Sequence, residues 1–129
     1  MTKAEAYDKA WRLGARGDFS LVDQIYHPYY SSFDYRTGIV ANIEDDKLIV
    51  TTIQEDVIQG PREAIYESDS FVCIEGYARQ NLGNDVFEYF ITLTAIHYKD
   101  QQTIIQTTAG NLVDYDPSDY FRWNWEDYK

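Results

Sequence analysis

Hydrophobic and polar positions along this chain follow two periods, helical near the start and strand-like after residue 60. Thr2 with Glu5 three residues on has the form of a capping box, and Tyr7, Ala10, Trp11 and Gly14 recur at the i, i+3, i+4, i+7 spacing of one helical face. This predicts a first helix ending near Gly14 or Gly17. Asp18, or Ser20 with Asp23, can cap a second helix whose Leu21, Val22, Ile25 and Tyr26 share a face. Pro28 drives His27 out of helical geometry and ends it. Two helices joined by so short a corner form an antiparallel pair. Residues 29 to 36 are strand-prone until Thr37-Gly38 interrupts them.

Residues 42 to 54 carry opposed signals. An Asn cap and three acids at 44 to 46 favour a helix start, whereas Leu-Ile-Val-Thr-Thr-Ile favours a strand; helix is the reading adopted. After Gly60-Pro61 the period is two. Strands are predicted at 63 to 67, 71 to 79, 86 to 98 and 103 to 114, separated by Ser-Asp-Ser, Leu-Gly-Asn-Asp and Lys-Asp-Gln-Gln, which reads as a meander of hairpins. Strands this long have to bend, so the sheet is expected to be strongly curved. Asp116-Pro117-Ser118 marks a boundary between a domain over residues 1–116 and an aromatic C-terminal tail, 117–129, holding two of the three tryptophans. So many rings are expected to dock, on the domain or on a partner chain.

Composition narrows the classes of partner. With 129 residues the chain is long enough for one domain with a core, and twelve tyrosines supply rings with a polar tip for half-wet walls and interfaces. A formal charge of −11, from 22 acids against 11 bases, argues against nucleic acid and against an anionic membrane. No apolar run approaches a membrane span, and the first residues lack the apolar centre of a secretion signal. The single cysteine, Cys73, sits in an apolar run and reads as a structural thiol, in keeping with a cytoplasmic location. Isolated glycines, two distant histidines and no Cys-x-x-Cys spacing leave no phosphate loop, dinucleotide fingerprint or metal site, so neither cofactor nor metal is expected.

Two helices hinged at Gly17-Asp18-Phe19, a strand after Tyr26-x-x-x-Tyr30, a third helix and a late strand pair turning at Lys99-Asp100 together resemble the nuclear transport factor 2-like superfamily, in its SnoaL-like and ketosteroid isomerase-like branch. The resemblance spans residues 3 to 116. It implies an α+β fold in which a cone-shaped, strongly curved antiparallel β-sheet packs against two or three N-terminal helices around a pocket. It also implies a homodimer through the outer sheet face. With the isomerases' Gly-Asp corner placed on Gly17-Asp18, their general-base aspartate falls on Asp34. Their oxyanion-hole positions fall on Ala10, with Tyr7 one turn earlier, and on roughly Thr94. The hydrogen-bond donors of a steroid isomerase are therefore largely absent, and that reaction is not implied.

Asp34 is the leading candidate for a general base; its alternative is a strand-end carboxylate paired with Arg36 or a backbone amide. His27 either supplies a second acid/base group or satisfies the last carbonyls of helix two. Alternation along the strand 86 to 98 puts Phe90, Thr92, Thr94 and Ile96 on one face; the resemblance, which places Thr94 at a pocket position, turns that face toward the cone and leaves Tyr89, Ile91 and Leu93 for the dimer. Tyr7 and Trp11 from helix one, Tyr30 from the first strand, and Gln106 and Thr108 from the last strand complete the expected substrate-binding wall. Such a lining suits a small, largely apolar molecule. Two functions follow: an isomerase, cyclase or dehydratase using Asp34 as base, or a non-catalytic dimeric binding or assembly module whose pocket is vestigial or plugged by the tail.

Overall fold

The hinge after the first helix sets the geometry of the N-terminal half. Helix α1 (Lys3–Ala15) starts where the Thr2 hydroxyl accepts the Glu5 amide, and Gly17 leaves it with a positive φ of 93°. Asp18 then holds the Ser20 amide and hydroxyl, at 3.1 and 2.7 Å, at the start of helix α2 (Ser20–Ile25). Gly14 gives the second helix room to approach: a Cβ there would lie 2.8 Å from the Phe19 ring. The two helices bury Ala10, Trp11 and Val22 against Tyr26 and Tyr30, which makes an aromatic core rather than an aliphatic one.

Strand β1 (Tyr26–Asp34) begins three residues earlier than the pattern predicts. Tyr26 and His27 are strand residues. Pro28 is accommodated because the pairing with the last strand is irregular between Tyr26 and Ser31, where no ladder hydrogen bond is asked of it. After the two-residue strand β2 (Val40–Ala41), residues 42 to 54 resolve as a helix, α3 (Ile43–Ile53). A reciprocal capping box decides it: the Asn42 side chain accepts the Asp45 amide at 2.9 Å and the Asp45 carboxylate accepts the Asn42 amide at 3.1 Å.

Strands β3 (Val57–Glu67), β4 (Phe71–Gly83), β5 (Val86–Lys99) and β6 (Gln102–Val113) form the expected meander. The sheet order is β2-β1-β6-β5-β4-β3, and the sheet is strongly curled without closing. One junction departs from the expected antiparallel sheet, since β1 runs parallel to β6. β3 also runs through Gly60-Pro61 instead of starting after it. As the edge strand it tolerates a proline, and the pairing shifts there between Gln59 and Arg62. The α+β architecture is thus a curved sheet with helices against one face, described over residues 1–129 by the computed structural model. No helix is long and apolar enough to cross a membrane.

The tail folds onto the domain. Asp116 caps helix α4 (Pro117–Phe121) through the Ser118 amide and accepts the Trp125 indole N–H at 3.0 Å. Phe121 and Trp123 lie against Tyr77, and Trp125 lies against Tyr89 with the Arg79 guanidinium 5.4 Å over its ring. Tyr77, Arg79 and Tyr89 belong to the outer face of the sheet, so the tail covers the outside of the cone and leaves its interior free. Trp125 is 4% exposed and Trp123 approaches within 3.0 Å of where a Gly60 Cβ would stand. Trp125→Ala should therefore cost about 3–5 kcal/mol in chemical denaturation, the range for a buried tryptophan, and a loss well under 1 kcal/mol would mean the tail is detached in solution.

Candidate functional site

Between the curved sheet and helices α1 and α3 lies a cavity of about 240 Å³. Helix α3 supplies one wall. Asp46, Ile49, Val50 and Ile53 stand at i, i+3, i+4 and i+7, so one face of this helix offers three aliphatic side chains with a carboxylate at its N-terminal end. The sheet supplies the opposite wall through Ile74 and Gly76 of β4, Thr92 and Thr94 of β5, and Gln106 and Thr108 of β6. Cross-strand pairing explains the grouping: Ile74 opposes Thr94, Thr94 opposes Thr108, and Gly76 opposes Thr92. The Thr94 and Thr108 hydroxyls are 3.3 Å apart. Tyr7 and Trp11 close the cavity from α1.

Asp46 is the carboxylate that the fold brings to this wall. It is half-buried and accepts the Tyr30 hydroxyl at 2.7 Å and, more loosely, the Ser32 hydroxyl at 3.4 Å. Burial raises its pKa from the ordinary aspartate value, and the hydrogen bonds from Tyr30 and Ser32 only partly oppose that rise. Tyr30 is itself buried, and burial together with the neighbouring Asp46 charge keeps its phenol protonated. It acts as a permanent donor that aims the carboxylate.

Arg62 reaches the cavity through an irregularity in β3. Strict alternation from Gln59 would turn residues 61 and 63 inward; the register shift places Arg62 opposite Gly76, so that both Gln59 and Arg62 line the wall. One Arg62 nitrogen donates to Asp8 at 3.1 Å, and its guanidinium stands 5.6 Å from the Tyr7 ring centre. Burial raises the Tyr7 pKa while the Arg62 charge pulls it down, leaving the phenol protonated at neutral pH.

A directed hydrogen-bond chain sets the orientation of Gln106. The Trp11 indole donates to the Tyr26 hydroxyl at 2.7 Å, and that hydroxyl donates to the Gln106 carbonyl oxygen at 2.9 Å. An indole N–H is only a donor, so the proton of Tyr26 has to go forward to Gln106. The Gln106 amide N–H groups, with no protein partner, are left for the cavity. The site therefore combines an apolar body, a carboxylate with a raised pKa, and donors from Arg62 and Gln106. Such a set can move a proton and stabilise the oxygen charge that results.

Of the expected wall, the structure brings together Tyr7, Trp11, Thr92, Thr94, Gln106 and Thr108. Tyr30 stands behind it and acts on Asp46. Phe90, two residues past Thr92, lies outside it with the Arg36 guanidinium 5.0 Å over its ring. Asp34 also lies outside. It ends β1, and its carboxylate accepts the Arg36 amide at 3.0 Å and the Thr37 hydroxyl at 3.1 Å, the habit of an aspartate at the head of a turn. His27 is engaged locally: its Nδ1 accepts the Tyr29 amide at 3.0 Å. Neither residue lines this cavity, where the expected base and its companion were to stand. None of the tail's tryptophans lines the cavity either, so the tail is not its plug. Asp46 was discoverable from the sequence, since the helical reading of 42 to 54 puts it in register with Ile49, Val50 and Ile53. Arg62 was not, because its inward aim depends on the bulge.

No protein-family model and no curated protein matches the chain. Solved structures do. IdmH, a proposed polyketide cyclase from Streptomyces antibioticus, is 11% identical and superposes with a TM-score of 0.68, over 86% of this chain and 93% of that one. An NTF2-like protein of unknown function from Burkholderia xenovorans is 16% identical with a TM-score of 0.62, over 93% of this chain and 91% of that one. A protein with a ketosteroid isomerase-like fold from Catenulispora acidiphila, in complex with trimethylamine, is 13% identical with a TM-score of 0.62, over 83% and 85% respectively. At such identities the likeness is one of fold, and it agrees with the helix hinge, the meander and the cavity they enclose: this chain has the nuclear transport factor 2-like fold.

Proposed function

We propose that the chain binds a small, largely apolar molecule in the cavity and catalyses a proton-transfer reaction on it, an isomerisation, cyclisation or dehydration, with Asp46 as the general acid–base group. The observation that carries this reading is the placement of a carboxylate with a raised pKa in an aliphatic helix face, across a cavity that also holds Arg62 and Gln106. Asp46 removes or returns the proton. The Gln106 amide receives the charge that develops on a substrate oxygen, and Tyr7 with the Thr94 and Thr108 hydroxyls orients the molecule. The proposed cyclase among the structural neighbours supports the class of chemistry without naming a substrate.

A melting-shift screen over apolar ketones, lactones and epoxides, followed by turnover assays on those that bind, tests the proposal. With a substrate in hand, Asp46→Asn should lower turnover by about 10²–10⁴-fold while leaving binding nearly intact. Binding without turnover in the parent protein would favour a non-catalytic module instead.

The raised pKa of Asp46 makes a separate, substrate-independent prediction. A carboxyl whose folded pKa lies above its unfolded one binds more protons in the folded state. It costs the fold nothing at pH values below its unfolded pKa and an increasing amount as the pH rises through its folded pKa. The melting temperature of Asp46→Asn minus that of the parent should therefore rise between about pH 3 and pH 7. A difference that falls over that interval would contradict the burial-dominated shift.

We propose further that two copies associate through the outer sheet face. The tail takes Tyr89 out of the expected dimer face, but Leu93, beside Ile91, and Ile105, further along the same face, remain 43% and 47% exposed. Sedimentation should report a dimer that Leu93→Asp converts to monomer; a monomeric parent protein at high micromolar concentration would refute the association.

A further inference from the structure

A second cavity, of about 360 Å³, adjoins the first. The two share Trp11, Ala15, Gln54, Val57, Gln59 and Arg62 as wall residues, so they meet at the end of α1 and the start of β3. Beyond that shared wall the second cavity is lined by Arg12, Arg16 and Lys129 against a single carboxylate, Glu55. Together with Arg62, four of the chain's 11 basic residues converge here, in a chain with twice as many acids as bases.

These four cations are not equally free. Lys129 is paired with Glu126 at 2.8 Å. Arg12 is heavily committed, donating to Asp8 at 3.0 Å and to the carbonyls of Gln59 and Gly60 at 2.9 and 2.6 Å, with its guanidinium over the Tyr128 ring. Arg16 is exposed. Arg62 differs from all three. Its side chain is only 12% exposed, yet its one hydrogen bond is the contact with Asp8, and the rest of its five-donor fork opens onto the shared wall. Asp8 serves two guanidinium groups with one charge, which leaves a net positive charge at the junction. A partly desolvated guanidinium with most of its donors unspent is matched by a planar anion that accepts two parallel hydrogen bonds. The aliphatic side chains of α3 next to it suit an organic body rather than a free inorganic ion.

We infer that the ligand of this protein carries a carboxylate, held by the Arg62 guanidinium where the two cavities join, with its apolar body lying in the first cavity along α3. The inference rests on the reading of the first cavity as the ligand site. Asp46 lines only the first cavity and Glu55 only the second, so neither carboxylate shares the junction with the bound anion. Arg16 and Arg12 add long-range attraction from the mouth of the second cavity, and Asp8 fixes the fork.

Calorimetric titration with 2-naphthoate and its neutral counterpart 2-naphthamide, which share a ring system, isolates the charge. The full chain should prefer the carboxylate by about tenfold or more, the expected gain for a charge-assisted pair. Arg62→Gln should abolish the preference, bringing the affinity for the carboxylate down to that for the amide. Arg62→Lys keeps a positive charge beside Asp8 and so protects the fold; losing the planar fork, it should reduce the preference at least about threefold. Equal binding of the two probes by the parent protein, or an unchanged preference in both variants, overturns the carboxylate anchor alone. Failure of both probes to bind overturns it together with the assignment of the cavity as a ligand site.

Discussion

The contact on which the cavity depends is the shared carboxylate of Asp8. From the middle of α1 it holds Arg12 on one oxygen and Arg62 on the other. Arg12 in turn grips two successive carbonyls of β3, at Gln59 and Gly60. The pairing of this edge strand is interrupted at its proline by a register shift, and a helix is bonded to it at that point. This clamp closes the cone at its open edge. It also sets where the Arg62 guanidinium points, and it keeps flat the Gly60 backbone on which Trp123 and Trp125 rest from the other side. Partly buried guanidinium groups with charge-assisted bonds hold geometry more firmly than surface pairs do, because water competes less for the same donors.

Across the cavity the opposite strategy applies. Helix α3 has no fully buried residue, and Leu48 on its outer side is 67% exposed. It is held by its capping box, by the contact between Tyr30 and Asp46, and by Lys47 reaching Asp23 at 2.6 Å. The stiff wall is therefore the sheet with α1, and the compliant one is α3. A group that changes protonation sits on the compliant wall, anchored by a phenol that does not.

Much of this was legible along the chain. The Gly17-Asp18 hinge, the third helix and the long alternating strands are written in local patterns; alternation grouped Thr92 with Thr94 and Gln106 with Thr108, and the family resemblance at Thr94 turned that face inward. What escaped was lost to competition between local signals or to pairing between distant residues. Asp34 lies at the right distance after the hinge to look like a base, but its carboxylate is claimed by the turn that follows, and a turn competes for an aspartate more strongly than a cavity does. Asp46 was hidden by the β-branched run behind it, which blurred the helix whose stripe it heads. Arg62 points inward only because three residues of β3 span two of β4, and nothing in its own neighbourhood announces that.

The chain from Trp11 through Tyr26 to Gln106 has a direction that cannot be reversed, because an indole has no lone pair to offer in that plane. The wall at Gln106 thereby has a fixed polarity: its carbonyl oxygen is turned to Tyr26, and its amide N–H groups face the cavity. A carbonyl, ether or epoxide oxygen gains a partner there, whereas an amine or amide N–H arriving at the same spot meets a donor and must shed water without compensation. Trp11, itself on the cavity wall, and Tyr26 behind it thus fix which atoms Gln106 presents to the cavity.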